Sequence, residues 1–507
     1  MRTQHKAKEA VETFSPAEEQ FNRRRRTVGL ILAPTVLIGL LLAPIPIADG
    51  AHKMAAIIAM MMVLWVTEAL PLSATALLGP VMAVILRVAP VRTALAPFAD
   101  PTVFLFIGAF MLAEGMFVHR LDRRIAYTAL SWRLVGTSAG RVLVVYGAVA
   151  TVLSMWISNT ATTAMLFPIG MSLIGQMSHS SGRINPRQGF AMAMMLITAF
   201  GASIGGMATP VGTPPNLIGI GMLERIGGTR IGFFDWMALA VPVVLIMFVA
   251  MCAVLYLMGA RGTPMHQGGT EAVRAELKKL GQLSAGERNV LIAFGTTIVL
   301  WVAPGLFAVS GLDDTAFARA YTQAMPEGVA AICGALLLFL LPTDWRARRF
   351  TLTWDEASNI DWGIVLLFGG GLAVGELAFS TGLAEAMGKG ITAWLPSQST
   401  AAITILFTAT AIILSEATSN TAAANMIVPV AIAVAQAAGI RPLEPALGAT
   451  LGASMGFMMP VSSPTNAIVY SSGYISITSM MRFGVILDIL GFVVISVVVL
   501  LLGPLLF

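Results

Sequence analysis

Apolar stretches of roughly 18–25 residues recur along the whole chain, and each is long enough to cross the ~30 Å hydrocarbon core of a bilayer. No water reaches a backbone amide inside lipid, so such stretches must be helical. The apolar–polar alternation of a membrane β-barrel is absent. Of 507 residues, 57% are hydrophobic and 11% charged, too little charge to cover a soluble protein of this length. The sequence therefore specifies an all-α polytopic membrane protein without a soluble domain.

The formal charge of +5 is not a nucleic-acid signature, because the basic residues sit in short loops and at span ends. Arg23, Arg24, Arg25 and Arg26 directly precede the first apolar stretch. They read as a positive-inside anchor, which puts the N-terminus in the cytoplasm of a multi-pass chain in the plasma (inner) membrane. No basic residue follows Arg482, as an outside C-terminus and an odd number of spans would have it. Residues 1–22 are polar and mixed in charge, unlike a cleavable signal peptide. Cys252 and Cys333 lie in apolar stretches and are expected to be free, buried thiols without a disulfide or metal site.

Plain spans are expected near 27–47, 53–69, 73–90, 238–259, 289–310, 327–342 and 482–505. Interrupted apolar segments run near 102–118, 140–176, 189–223, 363–379, 400–438 and 444–475, and the four longest carry a Ser/Thr/Asn/Gly/Pro cluster at their middle. That pattern suits re-entrant hairpins and broken helices, whose irregular backbone survives only where protein or a water-filled cavity surrounds it. Residues 260–288 and 308–326 read as solvated connections.

An internal repeat runs through these segments. Gly108, Glu114, Phe117 and Leu121 match Gly370, Glu376, Phe379 and Leu383 at an offset of 262. Ser158-Asn159-Thr160-Ala161 matches Ser419-Asn420-Thr421-Ala422 at 261, and Pro210–Asn216 matches Pro460–Asn466 at 250. An odd number of spans between matched elements would invert the second copy. Inverted repeats with discontinuous helices at matching places point to a secondary transporter with a midplane site.

The two Ser-Asn-Thr tripeptides lie between apolar arms of about a dozen residues or more, too short together for two full spans and suited to a hairpin whose tip reaches mid-membrane. Ser, Asn and Thr cap helix N-termini, and the bared N–H groups there face an anion. The alternative for one tripeptide is ordinary polar contact between helices; two copies in matched places favour a site. In Pro210-Val211-Gly212-Thr213-Pro214-Pro215-Asn216 and Pro460-Val461-Ser462-Ser463-Pro464-Thr465-Asn466, proline cannot continue the ladder. The freed carbonyls and hydroxyls can hold a hard cation such as Na⁺, and simple kinks are the alternative.

Glu68, Glu114, Glu376, Glu416 and Asp488 lie in or beside apolar segments, where carboxylates are costly and usually functional or paired. Glu416 stands three residues before Ser419 and reads equally as a proton or cation partner and as a structural hydrogen-bonding group. Glu68 reads as a helix end. No fixed cation in an apolar stretch aligns with the tips, so co-bound cations would offset the charge of a dianion.

These motifs resemble the divalent-anion/sodium symporter family of dicarboxylate, citrate and sulfate carriers. Its signature is similar to Ala453-Ser454-x-x-Phe457-x-x-Pro460-Val461-Ser462-x-x-x-Asn466-x-Ile468-Val469, with every defined position filled. The Ser-Asn-Thr pairs, Trp65–Pro71 and Leu367–Gly371 also resemble the family, from about residue 50 to the C-terminus. The resemblance implies eleven transmembrane helices plus two re-entrant hairpins, an elevator mechanism, and a homodimer in lipid. It implies a tail at 1–26, scaffold helices at 27–99, 236–345 and 479–507, and transport parts at 100–235 and 346–478. Carried over by motif, one Na⁺ site uses Ser154, Ser158, Asn159 and Gly212, and the other Ser415, Thr418, Asn420 and Ser462. A small carboxylate anion would meet Ser158, Asn159, Thr160, Thr213 and Pro214, with Ser419, Asn420, Thr421, Ser463 and Pro464. Ser462-Ser463-Pro464-Thr465 departs from the usual small residue, Thr and paired prolines, and Ser415 stands where Thr is common, but oxygen ligands are kept. The implied activity is Na⁺-coupled symport of di- or tricarboxylates such as succinate, malate or fumarate. The alternatives are Na⁺-independent dicarboxylate exchange or sulfate transport.

Other classes have little support. The histidines His5, His52, His119, His179 and His266 lie in tails, loops or span ends, no HExxH or mid-span Asp pair is present, and no P-loop serves a pump. An enzyme, an organic cofactor and a nucleic-acid partner are not expected. An inverted repeat favours alternating access over a channel.

Overall fold

The computed structural model describes residues 16–132, 138–178, 185–261 and 268–507, so His5, His179 and His266 lie outside it. Among the described residues the fold is all-α apart from one short antiparallel pair, Pro342–Asp344 with Arg349–Phe350. Among the described residues, ten helices are long and apolar enough to cross a membrane, or eleven when the bent pair Ala316–Ala324 and Glu327–Leu340 counts as one. Helices form because apolar residues recur on all sides of each span and no strand-type alternation competes.

The chain divides into two compact units. The first is built from residues up to Phe98 with Gly221–Thr229 and Leu366–Leu500. Its core joins Met54, Ile57, Met61 and Trp65 of helix Asp49–Thr67 to Leu367, Val374 and Leu377 of helix Trp362–Ser380. The second is built from Ala99–Ile220, Arg230–Val365 and Leu501–Phe507. Each unit carries one tip-and-break pair. Helices Ala139–Ser154 and Asn159–Ser178 precede Asn185–Gly206 and Pro214–Arg225. Helices Thr400–Ala417 and Asn420–Ala437 precede Leu443–Gly452 and Pro464–Tyr470.

Several expectations need correction. Segments 102–118 and 363–379 are continuous helices, Pro101–Val118 and Trp362–Ser380. Their glycines serve close packing. A Cβ on Gly108 would lie 2.5 Å from the carbonyl carbon of Ala331, and one on Gly370 would lie 2.7 Å from that of Ala76. Small residues let helix backbones approach in this way. The connections at 260–288 and 308–326 contain helices Gly268–Lys279 and Ala316–Ala324. The hairpin arms are 16, 20, 18 and 18 residues long, because the Ser and Asn residues cap helices rather than fill loops. Length alone therefore does not separate a hairpin from two spans.

Glu68 does end helix Asp49–Thr67, in left-handed backbone with φ 47°, and it takes Arg25 of the basic cluster at 2.6 Å. Cys252 is buried and Cys333 half-buried, each a free thiol. His52 and His119 meet the carbonyl oxygens of Leu40 and Thr351, each at 2.6 Å.

Candidate functional site

In the second unit, the chain leaves helix Ala139–Ser154 and enters Asn159–Ser178 across four residues. Ser158 caps the new helix: its Oγ accepts from the Ala161 amide at 3.3 Å. Ser154 Oγ donates to Asn159 Oδ1 at 2.7 Å, and Asn159 Nδ2 reaches Thr213 Oγ1 at 3.5 Å. The tip thus meets the break at 207–213. There the Asn216 side chain replaces the lost ladder by donating Nδ2 to Gly206 O at 2.9 Å and Thr209 O at 2.7 Å. A Cβ on Gly212 would lie 2.5 Å from Gly206 O and 2.9 Å from Ser154 O. Backbone oxygens therefore crowd this position, and only glycine leaves room between them.

The first unit repeats the construction. Ser419 caps Asn420–Ala437 by accepting from the Ala422 amide at 3.2 Å, and Ser415 Oγ lies 2.9 Å from Asn420 Oδ1 and 2.8 Å from Ala453 O. Asn466 Nδ2 donates to Gly456 O and Met459 O, each at 2.9 Å. These acceptors stand 250 residues from Gly206 and Thr209, the offset already seen in the sequence. Ser463 caps Pro464–Tyr470 by accepting from the Asn466 amide at 3.3 Å. The repeat is therefore one of local bonding as well as of letters.

The two units differ at the position where backbone oxygens crowd Gly212. Ser462 replaces Gly212, and its Oγ donates to Met459 O at 2.7 Å, with Gly456 O at 3.2 Å. Ser154, Asn159 and Gly212 come together in one unit, and Ser415 and Asn420 in the other. Thr418 turns its hydroxyl to Trp65 O at 3.5 Å. Thr160 and Pro464 are exposed, Thr421 and Pro214 half-buried, and Thr213 buried. Each cluster offers neutral oxygens, which suit a hard cation, beside capped helix N-termini, which suit an anion.

Sequence reasoning missed three contributors. Asn216 and Asn466 staple the breaks, and the Oδ1 of each is buried without a partner. Ser454, buried with a partnerless hydroxyl, has its carbonyl 3.4 Å from Asn420 Nδ2. The doubled asparagine at the end of each Pro-containing segment was the available signal. Glu416 makes a hydrogen bond of the structural kind: its Oε1 accepts from the Phe457 and Met458 amides at 2.6 and 2.7 Å. Glu376 pairs with Arg225 at 2.7 Å.

A family model described as the sodium:sulfate symporter transmembrane region matches residues 24–507. A sodium-dependent dicarboxylate transporter of Staphylococcus saprophyticus is 32% identical over 484 residues, covering 94% of this chain and 91% of that protein. The Na⁺/citrate cotransporter of Rattus norvegicus is 29% identical over 548 residues, covering 94% of each. Among solved structures, the Alcanivorax borkumensis YdaH transporter has a likeness of TM-score 0.54 at 13% identity, covering 96% of this chain and 98% of that one. This last likeness concerns the fold.

Proposed function

The chain belongs to the sodium:sulfate symporter transmembrane family, a family of transporters rather than enzymes, and we propose that it carries out Na⁺-coupled symport of di- or tricarboxylates. One observation carries the reading. In each unit a serine-capped helix N-terminus adjoins a nest of neutral oxygens, built by the same bonds at the same spacing. The nests receive Na⁺, and the capped N-termini and hydroxyls receive the carboxylates. Bound Na⁺ offsets the anion's charge. The relatives named above support both halves of this reading: one is called a sodium-dependent dicarboxylate transporter and the other a Na⁺/citrate cotransporter.

Ser154, Ser158, Asn159 and Gly212 form one Na⁺ site, and Ser415, Thr418, Asn420 and Ser462 the other. The carboxylates meet Ser158, Asn159, Thr160, Thr213 and Pro214, with Ser419, Asn420, Thr421, Ser463 and Pro464. The parts at 100–235 and 346–478 move as an elevator against 27–99, 236–345 and 479–507, in a homodimer of the plasma membrane with the N-terminus in the cytoplasm.

The test is uptake of radiolabelled succinate, malate, fumarate, citrate, tartrate and sulfate into proteoliposomes, with and without Na⁺. Na⁺-stimulated uptake of a carboxylate is expected. The description of the matched family favours one second reading, sulfate transport; sulfate uptake without carboxylate uptake would establish it. Carboxylate uptake that ignores Na⁺ and requires internal dicarboxylate would replace symport by exchange.

A further inference from the structure

Trp156 stands in the tip between helices Ala139–Ser154 and Asn159–Ser178, two residues after Ser154 and two before Ser158. The tip backbone is tied to its own arm, since the Trp156 and Ile157 amides donate to Leu153 O at 3.0 and 3.1 Å. Those bonds shape the turn but do not fix what the tip rests on. That falls to the indole ring. It stacks on Phe233, with centroids 6.4 Å apart and planes at 15°, and it meets Phe294 edge-on at 6.0 Å and 84°. Phe233 in turn stacks on Trp301 at 4.5 Å and 14°. Stacked and edge-on arrangements at these distances are the ones that aromatic pairs prefer.

The surface that receives the ring is itself held. Phe233 and Trp301 are buried, and Trp301 Nε1 donates to Glu327 O at 3.0 Å. The Gly232 amide donates to Asp235 Oδ2 at 3.1 Å and fixes the start of helix Phe233–Leu255, which carries Phe233. On its other side the tip reaches the break, where Met155 O accepts from Thr209 Oγ1. The ring therefore sits between two oxygens of the first nest in sequence, Ser154, which donates to Asn159, and Ser158, which caps the next helix. Moving the ring moves both.

The other unit builds the same tip and break without a ring. Ala417, at the position equivalent to Trp156, is exposed, and Ser415, Ser419 and Asn420 still make their bonds. The local fold thus does not require an aromatic side chain there.

We infer that Trp156 is a positioning residue for the first nest: by seating its ring against Phe233 and Phe294 it sets where Ser154, Ser158 and Asn159 stand relative to the break at 207–213. On the Na⁺-coupled reading of that nest, on which this rests, cation affinity depends on helix Ala285–Val309, which carries Phe294 and Trp301 and supplies no ligand. Phenylalanine at 156 keeps a ring that can stack, whereas leucine keeps an apolar side chain without one. Leucine at 294 removes the edge contact and leaves every residue of the tip in place.

The test measures uptake into proteoliposomes against Na⁺ concentration, at saturating substrate, for the wild type, W156F, W156L, F294L and W156L/F294L. Thermal unfolding of each purified protein is recorded alongside. W156F should keep the wild-type Na⁺ half-saturation. W156L and F294L should each raise it about fivefold, the worth of an aromatic pair beyond its buried area. The double variant should shift no further than W156L, because one contact is lost only once; independent effects would multiply to about 25-fold. Wild-type uptake indifferent to Na⁺ would refute the coupling reading before any variant is read. A Na⁺-dependent wild type with W156L and F294L superimposed on it, even at a lowered unfolding temperature, would reduce the stack to packing and overturn the positioning role alone. A multiplied shift in the double variant, a W156F curve displaced as far as that of W156L, or loss of both W156L and F294L from the membrane would also overturn it.

Discussion

Alanine should have unequal effects at the two equivalent positions 212 and 462. At 212 it adds a methyl group 2.5 Å from Gly206 O and 2.9 Å from Ser154 O. Carbon atoms pack at about 3.5 Å, so the nearer oxygen must retreat by about 1 Å. Both oxygens are backbone and cannot rotate away. Gly206 O is also held by Asn216 Nδ2 at 2.9 Å. Overpacking of this kind costs about 1–3 kcal/mol, which is about 5- to 150-fold if it falls on the affinity of the first nest. At 462 alanine removes the Ser462 hydroxyl and adds nothing. The carbonyls it bonded, Gly456 O and Met459 O, each keep Asn466 Nδ2 at 2.9 Å. No buried acceptor is orphaned, so the cost is about 1 kcal/mol, or about fivefold. The assay is the Na⁺ concentration curve of uptake into proteoliposomes at saturating substrate. G212A should lose most activity or shift far to higher Na⁺, and S462A should shift slightly. A wild-type curve for G212A, or an S462A shift as large as that of G212A, would refute the reading of Gly212 as the tight point of an oxygen nest.

N159A and N420A should each reduce uptake to background, because each removes the side chain that joins tip to break; normal uptake by either reconstituted variant would reject that cluster as a site. Asp122, at the start of helix Leu121–Leu130, is 3% exposed, and burial pushes its carboxyl up to about 6 against the opposing Arg123 amide. Between about pH 4 and 6 the native state therefore holds the extra proton. Stability should fall as pH rises through that window, by roughly 3 kcal/mol when complete. Thermal unfolding from pH 4.5 to 7.5 should show the decline in wild type and not in D122N; parallel profiles would contradict it. Arg124 pairs with Glu287 at 2.6 Å and donates to the carbonyls of Leu280, Gly281 and Gln282 at 3.0–3.1 Å. R124A should cost about 3–5 kcal/mol, since it strands a largely buried carboxylate, and an unchanged unfolding temperature would show the clamp to be idle.

The parts of the fold legible in the sequence were those whose chemistry is local. Span length, the Ser-Asn-Thr caps and the proline breaks are each decided within a few residues, so Ser158, Ser419 and both breaks could be located from letters alone. Matched offsets then supplied the second half from the first. What depended on distant contacts was not legible. Gly108 reads as an interruption until Ala331 is known to lie against it. Glu416 was ambiguous because its partners, the Phe457 and Met458 amides, stand 41 and 42 residues away. Helices Gly268–Lys279 and Ala316–Ala324 were hidden because polar composition marks solvation and does not exclude helix. Thr418 shows the converse limit: its place in a motif suggested a ligand, and its hydroxyl is drawn toward Trp65 O.

Cation coupling through the two oxygen nests is tested most directly by concentrative uptake. Proteoliposomes free of internal dicarboxylate are given labelled succinate, malate or citrate under an inward Na⁺ gradient, and then with Na⁺ equal on both sides. Transient accumulation above the external concentration, abolished when the gradient is removed, is the expected result. Uptake that never exceeds equilibrium with the Na⁺ gradient in place, or that appears only when dicarboxylate is preloaded, would contradict the account.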